Sequence, residues 1–578
     1  MIASPRFSGI SHARPIVSTS DAHVTTPPPA ALPAAEWAWL ERFRAAGPRL
    51  ARTAAGLPDR LFGLGIAACT AAVAVFLLVQ LNAWPPHEDE TLALFVGRSS
   101  VGGLFDIVLG QRGGAPLHFL LAWIVAHTGG GLIALRLVSA VFAVASIPVI
   151  AMLCARLSDR ITALAATAIV SASWVLLFHG IYARMYSLFL FTSALSYLAL
   201  LHALDRGGRR AWTLWALAIL ATVATHPYGI LVLASQSLYV LVLRRRLREA
   251  VVAFGTVALA GIPLWRADVV LAGRFDVGVG GHGERLGGPI SVFRYLRAVA
   301  GDFTAGYGLV LSLVLAAALL GLLELARIRL RAAALVAAVI GTPTFAFLVA
   351  KLGSSTAPES RHLIFALPFF ALLVAAGAVT LARRLPYGTG VVLALAGIAA
   401  LLPAEVAWGW HKTPPLFTGE SRIRIEGRDA AAAWLARTSR PDDVLFAYDP
   451  LYLQAWEHSG QVSRTVVPRA DARLALRVLH AQKHPLGRGV WVLDRSDTNN
   501  FVRRLYIPLR SPEPRALYEV RAYGPFLIVR TRRPTLTARR FLEDTRNVML
   551  LGKDLYLGDA DTNYGTAIKA IGKLEAHR

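Results

Sequence analysis

Hydrophobic positions in this chain gather into long apolar runs, not into the half-apolar patterns of water-soluble helices and strands. Eleven runs are long enough, or nearly so, to cross a bilayer as helices: roughly 61–82, 137–155, 161–179, 185–204, 211–226, 227–243, 250–265, 303–323, 332–350, 363–382 and 388–404. A further apolar stretch, Ala115 to His127, holds thirteen residues. At 1.5 Å per residue it is too short for a hydrocarbon core of ~30 Å, so it is read as a re-entrant or interface-lying helix. After Trp410 the pattern changes to mixed polar and apolar: Arg428 to Thr438 is patterned as a helix. Val444 to Tyr448, Gly489 to Leu493 and Phe526 to Val529 read as buried strands. The predicted fold is a polytopic α-helical membrane protein of about eleven spans, followed by a small C-terminal α/β domain outside the membrane.

Charge orients the runs. Arginines crowd the connectors Arg156 to Arg160, Asp205 to Arg210, Arg244 to Arg248, Arg327 to Arg331 and Arg383 to Arg384. Every pair of these connectors is separated by an even number of runs, so all lie on one side, and the positive-inside rule makes that side cytoplasmic. Counting Ala115 to His127 as a span would break this parity. The external connectors are then 83–136, 180–184, the turn at His226 and Pro227, 266–302, 351–362 and everything after Trp408. Residues 1–60 form a basic cytoplasmic arm, disordered over 1–33 and amphipathic from Trp37 to Leu57; residues 61–408 form the transmembrane unit and 409–578 the external domain. The location is the inner (plasma) membrane.

Composition agrees: 55% of residues are hydrophobic and only 17% charged, too apolar for one soluble core. The formal charge of +24 lies in the cytoplasmic clusters and terminal regions, which argues against a nucleic-acid partner. Cys69 and Cys154 both fall in apolar runs without metal-ligand spacing, and imply neither a disulfide framework nor a zinc site.

Candidate chemistry sits in the external connectors. His87-Glu88-Asp89-Glu90-Thr91 places three carboxylates directly after the first run, suited to general-base or metal chemistry at the interface; alternatively they complement a helix dipole. Arg184, flanked by Tyr182 and Tyr186, runs against the outward charge bias and suits a phosphate or carboxylate partner. Lys351, Arg361 and His362 bracket one short external connector and could grip a phosphate, or else snorkel to water. His226 sits in a proline turn, either as an interfacial histidine or as a substrate contact. The loop Gly278 to Gly288 reads either as a lid or as a plain connector. Asp449 and the stretch Asp494 to Asp497 follow strand ends, where turn formation is the favoured reading.

In order, these pieces resemble the C-class (GT-C) integral-membrane glycosyltransferases of the protein O-mannosyltransferase and aminoarabinose-transferase kind. The resemblance covers roughly 61–404 and rests on Asp89-Glu90, Ala115-Pro116-Leu117-His118-Phe119, Ala134 to Ala140, Ala183 to Ser187 and Arg361-His362. It implies a glycosyltransferase that takes a sugar from a polyprenyl-phosphate donor, in the membrane, to a cell-envelope glycan, lipid or protein acceptor. It implies Asp89 as catalytic base with Glu90 beside it. It implies Arg184 and Arg361 as contacts to the donor phosphate; Tyr186, His362, Lys351, His118 and His226 are further candidate substrate contacts. A divalent metal ion is left open as a cofactor. Two departures stand out: the proline pair of relatives is Ala115-Pro116 here, and the acidic or amide residue before Ala-Arg is Tyr182. The competing readings are a transporter or lipid flippase, and a non-catalytic envelope-assembly scaffold.

Overall fold

All eleven apolar runs carry a helix in the computed structural model, which describes residues 57–275, 288–349, 358–384, 389–460, 465–468, 472–482, 484–494 and 516–551. These residues belong to one unit, Ala55–Arg578. The basic arm up to residue 56, Lys351, the loop 278–287 and Arg495 to Asp497 lie outside the described residues.

The chain enters with α1 (Asp59–Gln80). The connector after α1 then folds into α2 (Glu88–Gly97), α3 (Val101–Phe105), a π-helical turn (Asp106–Arg112) and α4 (Pro116–His127). Helix α4 is a separate twelve-residue element, in keeping with the reading of Ala115 to His127 as too short to span. The bundle continues through α5 (Leu132–Leu157), α6 (Arg160–Ala172), α7 (Trp174–Ile181), α8 (Tyr186–Arg206), α9 (Gly208–Thr225), α10 (Gly229–Leu243), α11 (Leu247–Ala260) and α12 (Ile262–Phe275). Then come α13 (Pro289–Phe303), α14 (Gly308–Ile328), α15 (Leu330–Val349), a 3-10 turn (Ser360–Ala366), α16 (Leu367–Arg384) and α17 (Thr389–Lys412).

The molecule is a multi-pass membrane protein. Among the described residues, six helical segments are long and apolar enough to cross a membrane: α1, α5, α8, α14, α15 and Ser360–Arg384. The pairs α6–α7, bent by 53°, and α11–α12, bent by 58°, raise the number to eight if each is one span. Helix α10 holds only fifteen residues, and α9 opens on Gly208-Arg209-Arg210, which dilutes its hydropathy.

Ion pairs gather the arginine connectors at one end of the bundle. Asp205 pairs with both Arg156 and Arg245, Asp59 with Arg160, Asp159 with Arg383, and Glu324 with Arg327 and Arg384. The five connectors that parity assigned to one side therefore meet at one surface.

Small residues let the helices close. A Cβ added to Gly321 of α14 would lie 1.9 Å from the Leu373 carbonyl of α16, and one added to Gly377 would lie 1.9 Å from the Ala317 carbonyl. The two backbones touch reciprocally, the contact that drives helix association where lipid supplies no hydrophobic force. Gly377→Ala is expected to destabilise the bundle by about 1–3 kcal/mol through overpacking, read as a lower thermal midpoint in detergent.

After a short helix α18 (Pro415–Thr418), the chain builds a mixed sheet. Its elements are α19 (Arg422–Thr438), β1 (Val444–Phe446), α20 (Pro450–Ser459), β2 (Thr465–Val467), α21 (Ala472–His480), β3 (Gly489–Asp494), β4 (Tyr518–Tyr523), β5 (Phe526–Thr531) and α22 (Ala538–Leu551). The strand order is β2-β1-β3-β5-β4, parallel across the first three and antiparallel thereafter. One face shares a core with the connector that follows α1, where Leu92, Phe95 and Leu104 pack with Leu435, Tyr452 and Ile528. Asp449 caps α20 by accepting from the Leu451 N–H at 2.9 Å, so it is a turn former as favoured.

Candidate active site

The site begins at the first turn of α2, where the extended Pro85-Pro86 leads into a helix that His87 caps. The His87 Nδ1 accepts from the Asp89 N–H (3.1 Å), and the Glu90 Oε2 accepts from the His87 N–H (3.1 Å). This is a capping box with imidazole in place of a hydroxyl. Three carboxylates suit the positive end of the helix, but they go to three different environments.

Glu90 turns inward and is fully buried against Arg136 of α5, also fully buried. Arg136 donates through Nε and Nη2 to the two Glu90 oxygens at 2.9 and 2.7 Å. Its Nη1 donates to the Trp84 carbonyl at 2.8 Å and to the Leu81 carbonyl at 3.3 Å. The Ala183 N–H donates to Glu90 Oε1 at 3.0 Å. Each Glu90 oxygen thus accepts two hydrogen bonds, and the pair binds the end of α1, the start of α2, α5 and the α7–α8 connector into one piece. Glu90 supports its neighbour's position and has no oxygen left over for a reacting atom.

Glu88 faces the C-terminal domain, where its Oε1 accepts from the Tyr448 N–H at 3.4 Å. The Thr91 hydroxyl donates to the Tyr448 carbonyl, so both backbone groups of Tyr448 hold the first turn of α2. Ala447 beside it has φ of 76°, a left-handed conformation unusual for a residue with a Cβ. The Tyr448 ring is flanked by Phe95, centroids 5.8 Å apart, and by the Arg112 guanidinium at 5.7 Å.

Asp89 faces the α7–α8 connector. The buried Tyr182 hydroxyl donates to Asp89 Oδ2 at 3.3 Å and lies 3.2 Å from His87 Nδ1, while Arg184 Nη1 donates to the Asp89 carbonyl at 2.9 Å. Burial by itself would raise the Asp89 pKa. The charge of Arg184, then those of His87 and Arg361 and the Tyr182 hydrogen bond, outweigh it and hold the carboxyl well below the usual carboxylate range. Tyr182→Phe removes one of these supports at almost no steric cost. It is expected to raise the Asp89 pKa and, in the reaction proposed below, to lower kcat roughly ten- to a hundredfold, in line with the loss of one hydrogen bond to a charged group worth about 1.5–3 kcal/mol; the acid limb of the pH–rate profile checks the shift.

The cationic side continues into the 3-10 turn before α16. The Arg361 guanidinium stands over the Tyr186 ring, 5.2 Å from its centroid. His362 lies 5.7 Å from Tyr186, 5.3 Å from His226 and 5.4 Å from Tyr228, ring centre to ring centre. His226 stacks on Phe189 at 4.7 Å and accepts from the Tyr228 N–H at 3.0 Å, which closes the α9–α10 turn. Arg184 Nε, Arg361 Nε, His118 Nε2 and His179 Nδ1 are all buried without a hydrogen-bond partner. The 3-10 turn is itself anchored, because Ser360 donates to Asp302 at 2.8 Å and Lys412 pairs with the same carboxylate at 3.0 Å.

Asp89, Glu90, Arg184, Tyr186, Arg361, His362 and His226 thus form one connected neighbourhood, and Lys351 lies outside the described residues. His118 is buried at the start of α4, its ring 5.9 Å from Phe119. His87, His179, Tyr228 and Glu359 were not among the site residues expected from sequence, and Tyr182 entered only as a flank of Arg184 and as a departure from the family pattern. The one available signal was His87, which stands at the N-cap position before an acidic triplet. Among the described residues no three His, Cys, Asp or Glu side chains converge as a metal-binding set. With the Glu90 oxygens engaged, no second carboxylate among the described residues is shown sharing an ion site with Asp89, so those residues do not make a ligand set.

No family model matches the sequence, and no curated protein matches it. Among solved structures, the chain is similar to ArnT from Cupriavidus metallidurans bound to undecaprenyl phosphate, with 15% identity, a TM-score of 0.50, and coverage of 81% of this chain and 97% of that one. It also aligns with the archaeal oligosaccharyltransferase AglB from Archaeoglobus fulgidus, in complex with an inhibitory peptide and a dolichol-phosphate. That alignment has 11% identity, a TM-score of 0.47, and coverage of 80% and 74%. The arabinofuranosyltransferase AftD from Mycobacteria aligns at 14% identity and a TM-score of 0.40, over 83% of this chain and 40% of that one. The likeness to ArnT shows the fold: that of the C-class (GT-C) membrane glycosyltransferases.

Proposed function

We propose that this chain is an inverting glycosyltransferase that moves a sugar from a polyprenyl-phosphate donor to a cell-envelope glycan, lipid or protein acceptor on the extracytoplasmic face. The observation that carries the reading is the junction of Asp89, Tyr182, Arg184 and Arg361: one ionised carboxylate facing two guanidinium groups, each with a buried, unpartnered Nε. The ArnT likeness supports it, because that protein binds undecaprenyl phosphate within the same fold.

The chemistry uses the two charges in opposite senses. The acceptor oxygen attacks the anomeric carbon as the bond from that carbon to the phosphate oxygen breaks, and the phosphate leaves with the electron pair. Arg184 and Arg361 stabilise the charge that grows on the departing phosphate. Asp89 accepts the acceptor's hydroxyl proton, which becomes acidic as the new bond forms. A carboxylate of depressed pKa is a weak base, so proton transfer falls late in the step and the arginines contribute most to lowering the barrier. A single displacement inverts the anomeric centre.

This reading completes the topology with eleven passes, residues 1–60 in the cytoplasm, a catalytic unit over 61–408 and the domain 409–578 outside the inner membrane. The gathering of arginine connectors at one end supports it. The test is purified protein presented with a panel of polyprenyl-phosphate sugars and envelope acceptors. Transfer from at least one donor, with inverted anomeric configuration in the product, is the expected result. No transfer from any donor overturns the reading.

A further inference from the structure

Arg361 already has a counter-ion. Its Nη2 lies 2.6 Å from Glu359 Oε1, and the two side chains are 18% and 64% exposed. The carboxylate therefore approaches from the water side, while the guanidinium reaches inward over Tyr186. An exposed acid of this kind swings into solvent at little cost, so an incoming anion can displace it.

The charges around the junction can be counted. Glu90 and Arg136 cancel in their buried pair. Among the remaining described acids and arginines at the junction, Arg184 and Arg361 face Asp89 and Glu359, and the sum is zero. With Glu359 displaced, one net positive charge is left, which matches the single anionic charge of a phosphodiester. A diphosphate bridge brings a second negative charge with no described arginine to meet it, and it sets that charge beside Glu359 at the mouth. Like charges in a partly desolvated site are strongly unfavourable.

Resting on the donor reading above, we propose that Glu359 is a specificity-determining residue that restricts the donor to lipids carrying one phosphate and rejects those carrying a diphosphate. It acts as a placeholder on Arg361 that one phosphate can replace and a diphosphate meets as a repelling neighbour.

The test is equilibrium binding of a short-chain polyprenyl methyl phosphate, a diester with one negative charge, and of the matching polyprenyl methyl diphosphate, with two, to the full-length protein in detergent. Wild type, Glu359→Gln and Glu359→Ala are compared after their thermal midpoints show that all are folded. The wild type is expected to bind the monophosphate at least about tenfold more tightly, and both variants to gain about tenfold for the diphosphate and less for the monophosphate. Equal or tighter binding of the diphosphate by the wild type overturns the proposal. So does an unchanged preference in both variants. If the wild type binds neither lipid, the donor reading itself falls, a result distinct from a failure of Glu359 alone.

Discussion

Asp89→Asn is expected to abolish sugar transfer while leaving the protein folded. The amide keeps the size of the carboxylate, its oxygen can still accept from Tyr182, and Arg184 binds the backbone carbonyl of residue 89, which the change does not touch. What disappears is the group that takes the acceptor's proton in the proposed reaction, and with it the negative charge opposite the arginines. Loss of a positioned general base lowers rates by roughly 10²–10⁴-fold, and the assay is initial rate with the donor that the wild type prefers. Transfer equal to wild type would remove Asp89 from the mechanism. The pH dependence has a definite sign. The folded-state pKa of Asp89 is depressed, so the base form is complete at neutral pH and its loss begins only below the ordinary carboxylate value of about 3.9. The contribution of this carboxylate to stability is likewise present above that value, and disappears only as pH falls through the lower folded one. Any acid limb between pH 5 and 7 in the rate profile belongs to another group.

Arg136→Ala is expected to cost about 3–5 kcal/mol and to reduce the yield of folded protein sharply. The substitution leaves Glu90 fully buried and without its bidentate partner, and strips the Trp84 and Leu81 carbonyls of their donor. A buried ion pair adds little net stability compared with apolar residues of the same volume, but removing one member leaves the other charge uncompensated. The double variant Arg136→Met with Glu90→Leu should therefore be closer to wild type in thermal midpoint than Arg136→Ala alone. A double variant as unstable as the single would show that the carbonyl contacts, not the charge pair, hold the connector. Activity should still fall in the double variant, because the turn that carries Asp89 would lose its attachment to Ala183.

Several elements were legible along the chain because they depend on local composition. A helix needs only a continuous apolar run and the absence of alternative backbone partners in lipid, so all eleven runs became helices. That the arginine connectors share one end needs only charge, and the ion pairs through Asp205, Asp159 and Glu324 join the connectors that parity grouped. The strands at Val444, Gly489 and Phe526 were marked by short buried runs between polar segments. Asp89 and Arg184 were marked by charge at a membrane boundary, where a charge needs a reason.

Roles within the acidic triplet were not legible, since Glu88, Asp89 and Glu90 are chemically similar and consecutive. Helical geometry turns successive side chains by about 100°, and the surroundings then divide them: Tyr448 takes Glu88, Arg136 takes Glu90, and Tyr182 with Arg184 leaves Asp89 at the site. The grip of Tyr448 on that turn depends on a domain more than three hundred residues later in the chain. Nor could sequence show that Glu359, two positions from Arg361, occupies its guanidinium, because a 3-10 turn and its tether at Asp302 set that contact. Hydropathy and charge are properties of a residue and its neighbours, and they determined the membrane layout and the candidate ions. Which ion faces which is a property of packing between distant segments, and only the tertiary structure decided it.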